Sequence, residues 1–190
     1  MIQELAADQG GAAADDADAL ACRAQRGDSD ALGRLYDHYY ERVIRFTAGR
    51  LGDQARAEDV TSETFEAMLR GLGSYRPGTD FAAWLFTIAH RRVGDYFRRL
   101  YRRRETTLED TDVPAAGGPE EAAIAAADRA EVASAFQDLR KDEQEILALR
   151  VLAGLSANQV GAVLGKSPGA VRVAQHRALR ALRERMEVAS

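Results

Sequence analysis

The chain has 190 residues, 46% hydrophobic and 29% charged, with a formal net charge of −4, a length that suits one or two small domains with packed cores. No apolar run approaches a membrane span, the acidic N-terminus has no apolar export core, and Cys22 as the one cysteine excludes an internal disulfide. A cytoplasmic protein without membrane insertion is expected, and its charge has to be read segment by segment.

Residues 1–33 carry two basic and seven acidic side chains, and residues 34–104 carry fourteen and nine. Residues 105–131 carry one and eight, and residues 132–190 carry nine and six. Two net-basic blocks, each suited to a polyanion, are therefore flanked and separated by acidic segments.

Residues 1–15 are rich in Ala, Asp and Gly with little to bury, so disorder is expected there. A short helix is expected from Asp16, with Asp15, Asp16 and Asp18 as solvated surface. From Ser29, Leu32, Leu35, Tyr36, Tyr39, Val43, Phe46 and Leu51 recur at helical spacing, and Gly52 ends the run. Asp53 caps the next helix, whose stripe is Ala57, Val60, Thr64, Met68 and Leu72. The stretch "GSYRPGTD", residues 73–80, reads as a loop. Asp80 then caps a long helix, "FAAWLFTIAHRRVGDYFRRLYRRR".

Its second part, residues 90–104, sets seven arginines among Tyr96, Phe97 and Tyr101, with Phe81, Trp84 and Phe86 upstream. Arginines neutralise phosphates and aromatic rings stack on unpaired bases, so the combination suits a melted strand. The plainer reading makes Phe81, Leu85, Ile88 and Tyr96 core and the arginines solvated. Against it, Asp95 is the one acid among the seven arginines, whereas a solvated face usually mixes signs.

Residues 105–128 lack periodicity, are acidic and contain Pro114, Gly117, Gly118 and Pro119, and form a flexible linker on this reading. Two helices broken near Leu139–Lys141 follow. The run "GAVLGKSPGAVRVAQHRALR", residues 161–180, then poses a choice. A phosphate-binding loop needs four residues between its glycines, and Gly161 and Gly165 are separated by three. A helix-turn-helix fits better. Ser156 caps a first helix, Gly165 ends it, and Ser167 with Pro168 opens a second. On that helix Val171, Ala174, Ala178 and Leu182 share one side, while Arg172, His176, Arg180 and Arg183 share another.

Nothing alternates with period two, so the fold class is all-α. The expected units are residues 1–15, a helical bundle at 16–104, the linker at 105–128 and a helix-turn-helix unit at 129–190.

The blocks "LYDHYYERVIRFTAGRLGDQARAEDVTSETFEAML", "WLFTIAHRRVGDYFRR" and "LRKDEQEILALRVLAGLSANQVGAVLGKSPGAVRVAQHRALRALR" resemble bacterial RNA polymerase sigma factors. The likeness is to the extracytoplasmic-function (ECF) group of the sigma-70 family, which has regions 2 and 4 without a full region 3. It implies a dissociable initiation subunit that binds the β′ clamp helices and β flap of core RNA polymerase. Region 2 would capture the −10 element and region 4 would read the −35 element of promoter DNA. The resemblance also implies an anti-sigma factor as partner, nucleoid association when bound to polymerase, no cofactor and no metal.

By matching position, the clamp surface maps to Asp59, Ser62 (where the family usually has Gln) and Glu63, with Phe65 as packing. The −10 site maps to Tyr75, Arg76 and Trp84, to His90 and Arg91 where the usual "IARN" becomes "IAHR", and to Arg98, Arg99, Arg102 and Arg103. The −35 site maps to Ser167, Arg172, Val173, His176, Arg177 and Arg180, with Ala174 where the family commonly has a basic residue.

Two other classes compete. An autonomous helix-turn-helix regulator would not require the arginine–aromatic helix at 81–104. An enzyme finds little support in three scattered histidines, His38, His90 and His176, without a nucleophile motif or metal-spaced cysteines.

Overall fold

The computed structural model describes residues 10–106 and 132–189, with side chains over 17–102 and 132–187. Most of the segment read as a linker, from residue 107 on, and residues 1–9 lie outside the described residues. Every regular element among the described residues is a helix.

The first helix, α1, spans Gly10–Ala24 and so begins six residues before Asp16. Three consecutive alanines, Ala12 to Ala14, favour this extension, and Ala17, Leu20 and Ala21 are buried. Helix α2, Ser29–Leu51, is capped by the Asp28 carboxylate and closed by Gly52 in the left-handed conformation. Helix α3, Gln54–Gly71, starts at the Asp53 cap, and a short 3₁₀ turn, Leu72–Ser74, ends it.

Leu35, Tyr39, Val43 and Phe46 of α2 meet Val60, Phe65 and Met68 of α3 in the core. The hydroxyls of Thr47 and Thr61 pair at 2.9 Å inside this seam, and Thr47 Oγ1 also donates to Val43 O, so neither polar group is left unsatisfied. Tyr36 departs from the expected stripe. Its ring is 43% exposed and leans on Phe65 at 4.6 Å between centroids, because Leu35 and Tyr39 already fill the seam on either side of it.

Helix α4 spans Phe81–Thr106 and buries Phe81, Leu85, Phe86, Ala89 and Val93 against the bundle. Beyond the linker, α5 covers residues 132–137 and α6 spans Lys141–Leu147, with the expected break between them. The Gln144 amide bridges that break, donating to Gln137 O at 2.7 Å and Leu139 O at 3.2 Å. A π-helical turn, Ala148–Leu152, continues α6.

Then come α7, Ala157–Leu164, and α8, Pro168–Ala189. Ser156 and Gln159 form a reciprocal capping box at the start of α7, Gly165 closes it in the left-handed conformation, and Ser167 caps α8. Gly161 lets the turn fold tightly, since a Cβ there would sit 2.6 Å from the Lys166 carbonyl oxygen.

The two halves are not separate bodies. Helix α7 packs on α4 and the π-helical turn packs on α2. Leu149, Leu155, Val160 and Val171 continue the same apolar core as the α1–α4 bundle. A smaller cluster of Leu139, Leu147 and Ala178 secures α8 to α6.

Candidate nucleic-acid interface

The turn between α3 and α4 and the first turns of α4 frame an open cavity of about 310 Å³, lined by Ser74, Arg76, Thr79, Ala83, Trp84, Thr87 and Ala162. Trp84 is its aromatic wall, half-buried and supported by Phe81 at 5.5 Å and Tyr75 at 5.2 Å between ring centroids. Arg76, Ser74 and Thr79 are exposed at the rim and supply polar contacts. A planar aromatic ligand with an anionic backbone suits this mixture of a tryptophan face, hydroxyls and a guanidinium.

Tyr75 takes a different place from the one expected of a base-contacting ring. It is 3% exposed, and its phenol donates to the Asp18 carboxylate. Burial first, then that hydrogen bond, push the phenol above its ordinary pKa, so it stays a donor. Asp18 likewise is not solvated surface. Its carboxylate also accepts from Gly78 N at 2.8 Å and Phe81 N at 3.2 Å, partners 60 or more residues away that no local pattern could announce.

Along α4 the arginines divide. Arg98 pairs with Asp95, and Arg91 and Arg102 are exposed. Arg99 turns toward α3, with its guanidinium 3.4 Å from the Glu63 carboxylate. The Arg103 side chain lies outside the described residues. His90 is half-buried and reaches Glu145 of α6 at 3.3 Å, so it faces the second half of the molecule.

In that second half, Ser167, Arg172, Val173, His176, Arg177 and Arg180 are all exposed, while Val171 and Ala178 on the opposite side are buried. Arg180 Nε donates to Glu184 at 2.8 Å. Among the described residues no carboxylate pairs with Arg172 or Arg177, so both remain available to phosphates or base edges. Behind them, the Arg150 guanidinium holds Gln175 Oε1 at 2.7 Å and the Leu155 carbonyl, fixing α8 to the π-helical turn. An exposed helix face backed by a rigid turn can enter a major groove.

On α3, Asp59 and Ser62 are exposed and Glu63 is half-buried on the same face. Beside it lie Tyr36 (43% exposed), Tyr40 (38%) and Leu69 (50%) around Phe65. The sequence reading did not single out this aromatic patch, because it placed Tyr36 on one helical stripe with Leu35 and Tyr39. Among the described residues, no group of three His, Cys, Asp or Glu side chains is placed to share a metal ion, and no helix is long and apolar enough to cross a membrane.

Polar contacts join the halves. The Arg42 guanidinium, lying over the Tyr39 and Phe86 rings, donates to Ala153 O at 2.9 Å and Gly154 O at 3.3 Å. Gln159 Nε2 donates to the Asp80 carboxylate at 2.9 Å. Asp80, the cap of α4, is the one non-glycine residue with positive φ among the described residues, at 62°.

The family described as Sigma-70 region 2 matches residues 35–104, and Sigma-70, region 4 matches residues 135–184. The chain is 41% identical over 165 residues to the ECF RNA polymerase sigma factor BldN of Streptomyces coelicolor, covering 84% of this chain and 62% of that protein's length. It is 39% identical over 176 residues to the ECF RNA polymerase sigma factor ShbA of Streptomyces griseus, covering 87% of this chain and 92% of that protein. Among solved structures it shares its fold with CnrH in complex with the cytosolic domain of CnrY (TM-score 0.72, 24% identity, 92% of this chain and 99% of that one). It also shares it with the sigma factor RpoE of Bartonella quintana in complex with the anti-sigma factor NepR (TM-score 0.71, 21% identity, 84% and 98%).

Proposed function

The chain belongs to the extracytoplasmic-function group of sigma-70 factors, and from that membership we propose how its surfaces share the work of transcription initiation. The protein binds core RNA polymerase, directs it to specific promoters and helps open the −10 element. It performs no covalent chemistry itself; the polymerase supplies nucleotidyl transfer. It acts in the cytoplasm, at the nucleoid when bound to polymerase.

One observation carries this reading: a single chain presents a Trp84-walled cavity beside an arginine-bearing helix and, separately, an exposed recognition helix. The cavity and α4 serve an unpaired strand, which neither a duplex-only regulator nor a solvated helix requires. Arg172, His176 and Arg177 serve the −35 duplex. Asp59, Ser62 and Glu63, continued by Tyr36, Tyr40 and Leu69, form the polymerase-docking face opposite the β′ clamp helices, while the second half meets the β flap. An anti-sigma factor is the partner expected to hold the protein inactive.

Run-off transcription with purified core polymerase, on promoters selected from genomic fragments, tests the proposal. Sequence-selective initiation that requires the added chain is expected. Tight, sequence-specific duplex binding by the free chain, with no stimulation of core polymerase, would point to an autonomous regulator instead.

A further inference from the structure

We propose that Asp18 of α1 and Gln25, the residue that follows its last turn, are positioning residues that hold the 72–81 turn in the shape that receives an unstacked −10 base. The inference rests on the sigma-factor reading and assigns the first helix a part in promoter opening. Asp18 and Gln25 are seven residues apart, about two helical turns, and Gln25 N still donates to Ala21 O at 2.9 Å, so the two share one face of this segment.

From that face Asp18 accepts three hydrogen bonds, from the Tyr75 hydroxyl, Gly78 N and Phe81 N. Gln25 Nε2 donates to Leu72 O and Tyr75 O, each at 2.8 Å. Together they grip both ends and the middle of a turn whose one regular element is the Leu72–Ser74 3₁₀ turn.

Neither residue lines the cavity, and the support they give is indirect. Asp18 fixes the Tyr75 phenol, and the buried Tyr75 ring backs Trp84 at 5.2 Å, the wall on which a base would stack. Anchoring Gly78 N and Phe81 N sets where Arg76, just before the first anchor, and Thr79, between the two, present their polar groups. A turn ordered before the strand arrives spares the complex the entropy of ordering it, and the saving is specific to bases that fit the preset shape.

The test uses full-length protein carrying Asp18→Ala, Asp18→Asn or Gln25→Ala, bound to core RNA polymerase. Each holoenzyme is offered single-stranded oligonucleotides randomised across the −10 positions, with core affinity and thermal midpoint measured in parallel. For Asp18→Ala, discrimination between best and worst base should fall about tenfold, the scale of a lost charge-assisted hydrogen bond, at unchanged core affinity.

Asp18→Asn, which keeps one acceptor oxygen, should fall in between. Gln25→Ala should blur the same base position. Loss of binding that is uniform across all sequences and tracks a fall in core affinity would reduce both residues to fold staples and overturn the proposal. Unchanged discrimination would overturn it as well. A wild-type holoenzyme that selects no sequence at all would instead defeat the sigma-factor reading itself, so the two failures are told apart.

Discussion

At His90, burial and charge pull against each other. Burial depresses its imidazole below the ordinary 6.5, Glu145 draws it back up, and Arg50 and Arg91 depress it again, leaving it lowered. The folded protein therefore takes up this proton less readily than the unfolded chain. Stability from this site is full above about 6.5 and declines as pH falls below it toward the folded value. Thermal midpoints of the wild type and His90→Gln, compared from pH 7.5 to 5.5, should converge or cross as pH falls. A constant difference would show that the His90–Glu145 contact is not proton-linked.

Arg172 poses a simpler residue-level question, since no described carboxylate competes for it. Its replacement by Ala should cost about 1–3 kcal/mol if it reads a base bidentately. Specificity should relax at one −35 position only, as competition among −35 variants with holoenzyme would reveal.

Among the elements, α4 carries cationic side chains with different neighbours. Replacing Arg98 and Arg102 with Ala should lower the slope of log affinity against log salt by roughly 0.7–0.9 per phosphate contact removed, and permanganate footprints should show slower opening. Arg99 contributes differently, because its guanidinium faces Glu63 on the face proposed to dock polymerase. That exposed pair is itself worth at most about 1 kcal/mol. Opening at the wild-type rate with an unchanged salt slope in the double variant would remove α4 from the strand-binding surface.

In the α7–α8 turn, Gly161→Ala would drive a methyl group into the Lys166 carbonyl. A loss of about 1–3 kcal/mol, the usual scale of overpacking, should appear in chemical unfolding, together with weaker −35 selection. The caps at Asp53, Asp80, Ser156, Gly165 and Ser167 were legible in the sequence because each acts on the helical turn beside it. Asp18, Gln25, Arg42 and Gln159 were not. Their partners lie 47 to 112 residues away, and a polar side chain on a helix looks solvated until the chain returns to meet it. Tyr36 was misplaced for the opposite reason, since helical spacing cannot tell a core ring from one at the edge of the stripe.

For the molecule as a whole, the important fact is that the second half leans on the first. Ala162 of α7 forms one lip of the cavity walled by Trp84, so a strand held there in the proposed way would meet the helix-turn-helix. Removing the two polar ties with Arg42→Ala and Gln159→Ala should let the halves separate. Small-angle scattering of the free protein should then show a larger radius of gyration, and its affinity for single-stranded −10 oligonucleotides should rise. An unchanged radius would mean that the shared apolar core alone holds the halves together. The missing side chain of Gly49 leaves room for Leu152 to pack against that core, since a Cβ there would meet Leu152 Cδ1.

The carbonyls of Ala153 and Gly154 end the π-helical turn, and their hydrogen bonds come from Arg42, more than a hundred residues earlier. A helix end in one half is thus finished by the other. This bears on recombination between sigma factors. A hybrid joining residues 132–189 to a foreign first half inherits two open acceptors, which must find a donor at the position of Arg42 or be left to water. Compatibility of exchanged halves should follow the residue at that position more closely than overall sequence identity.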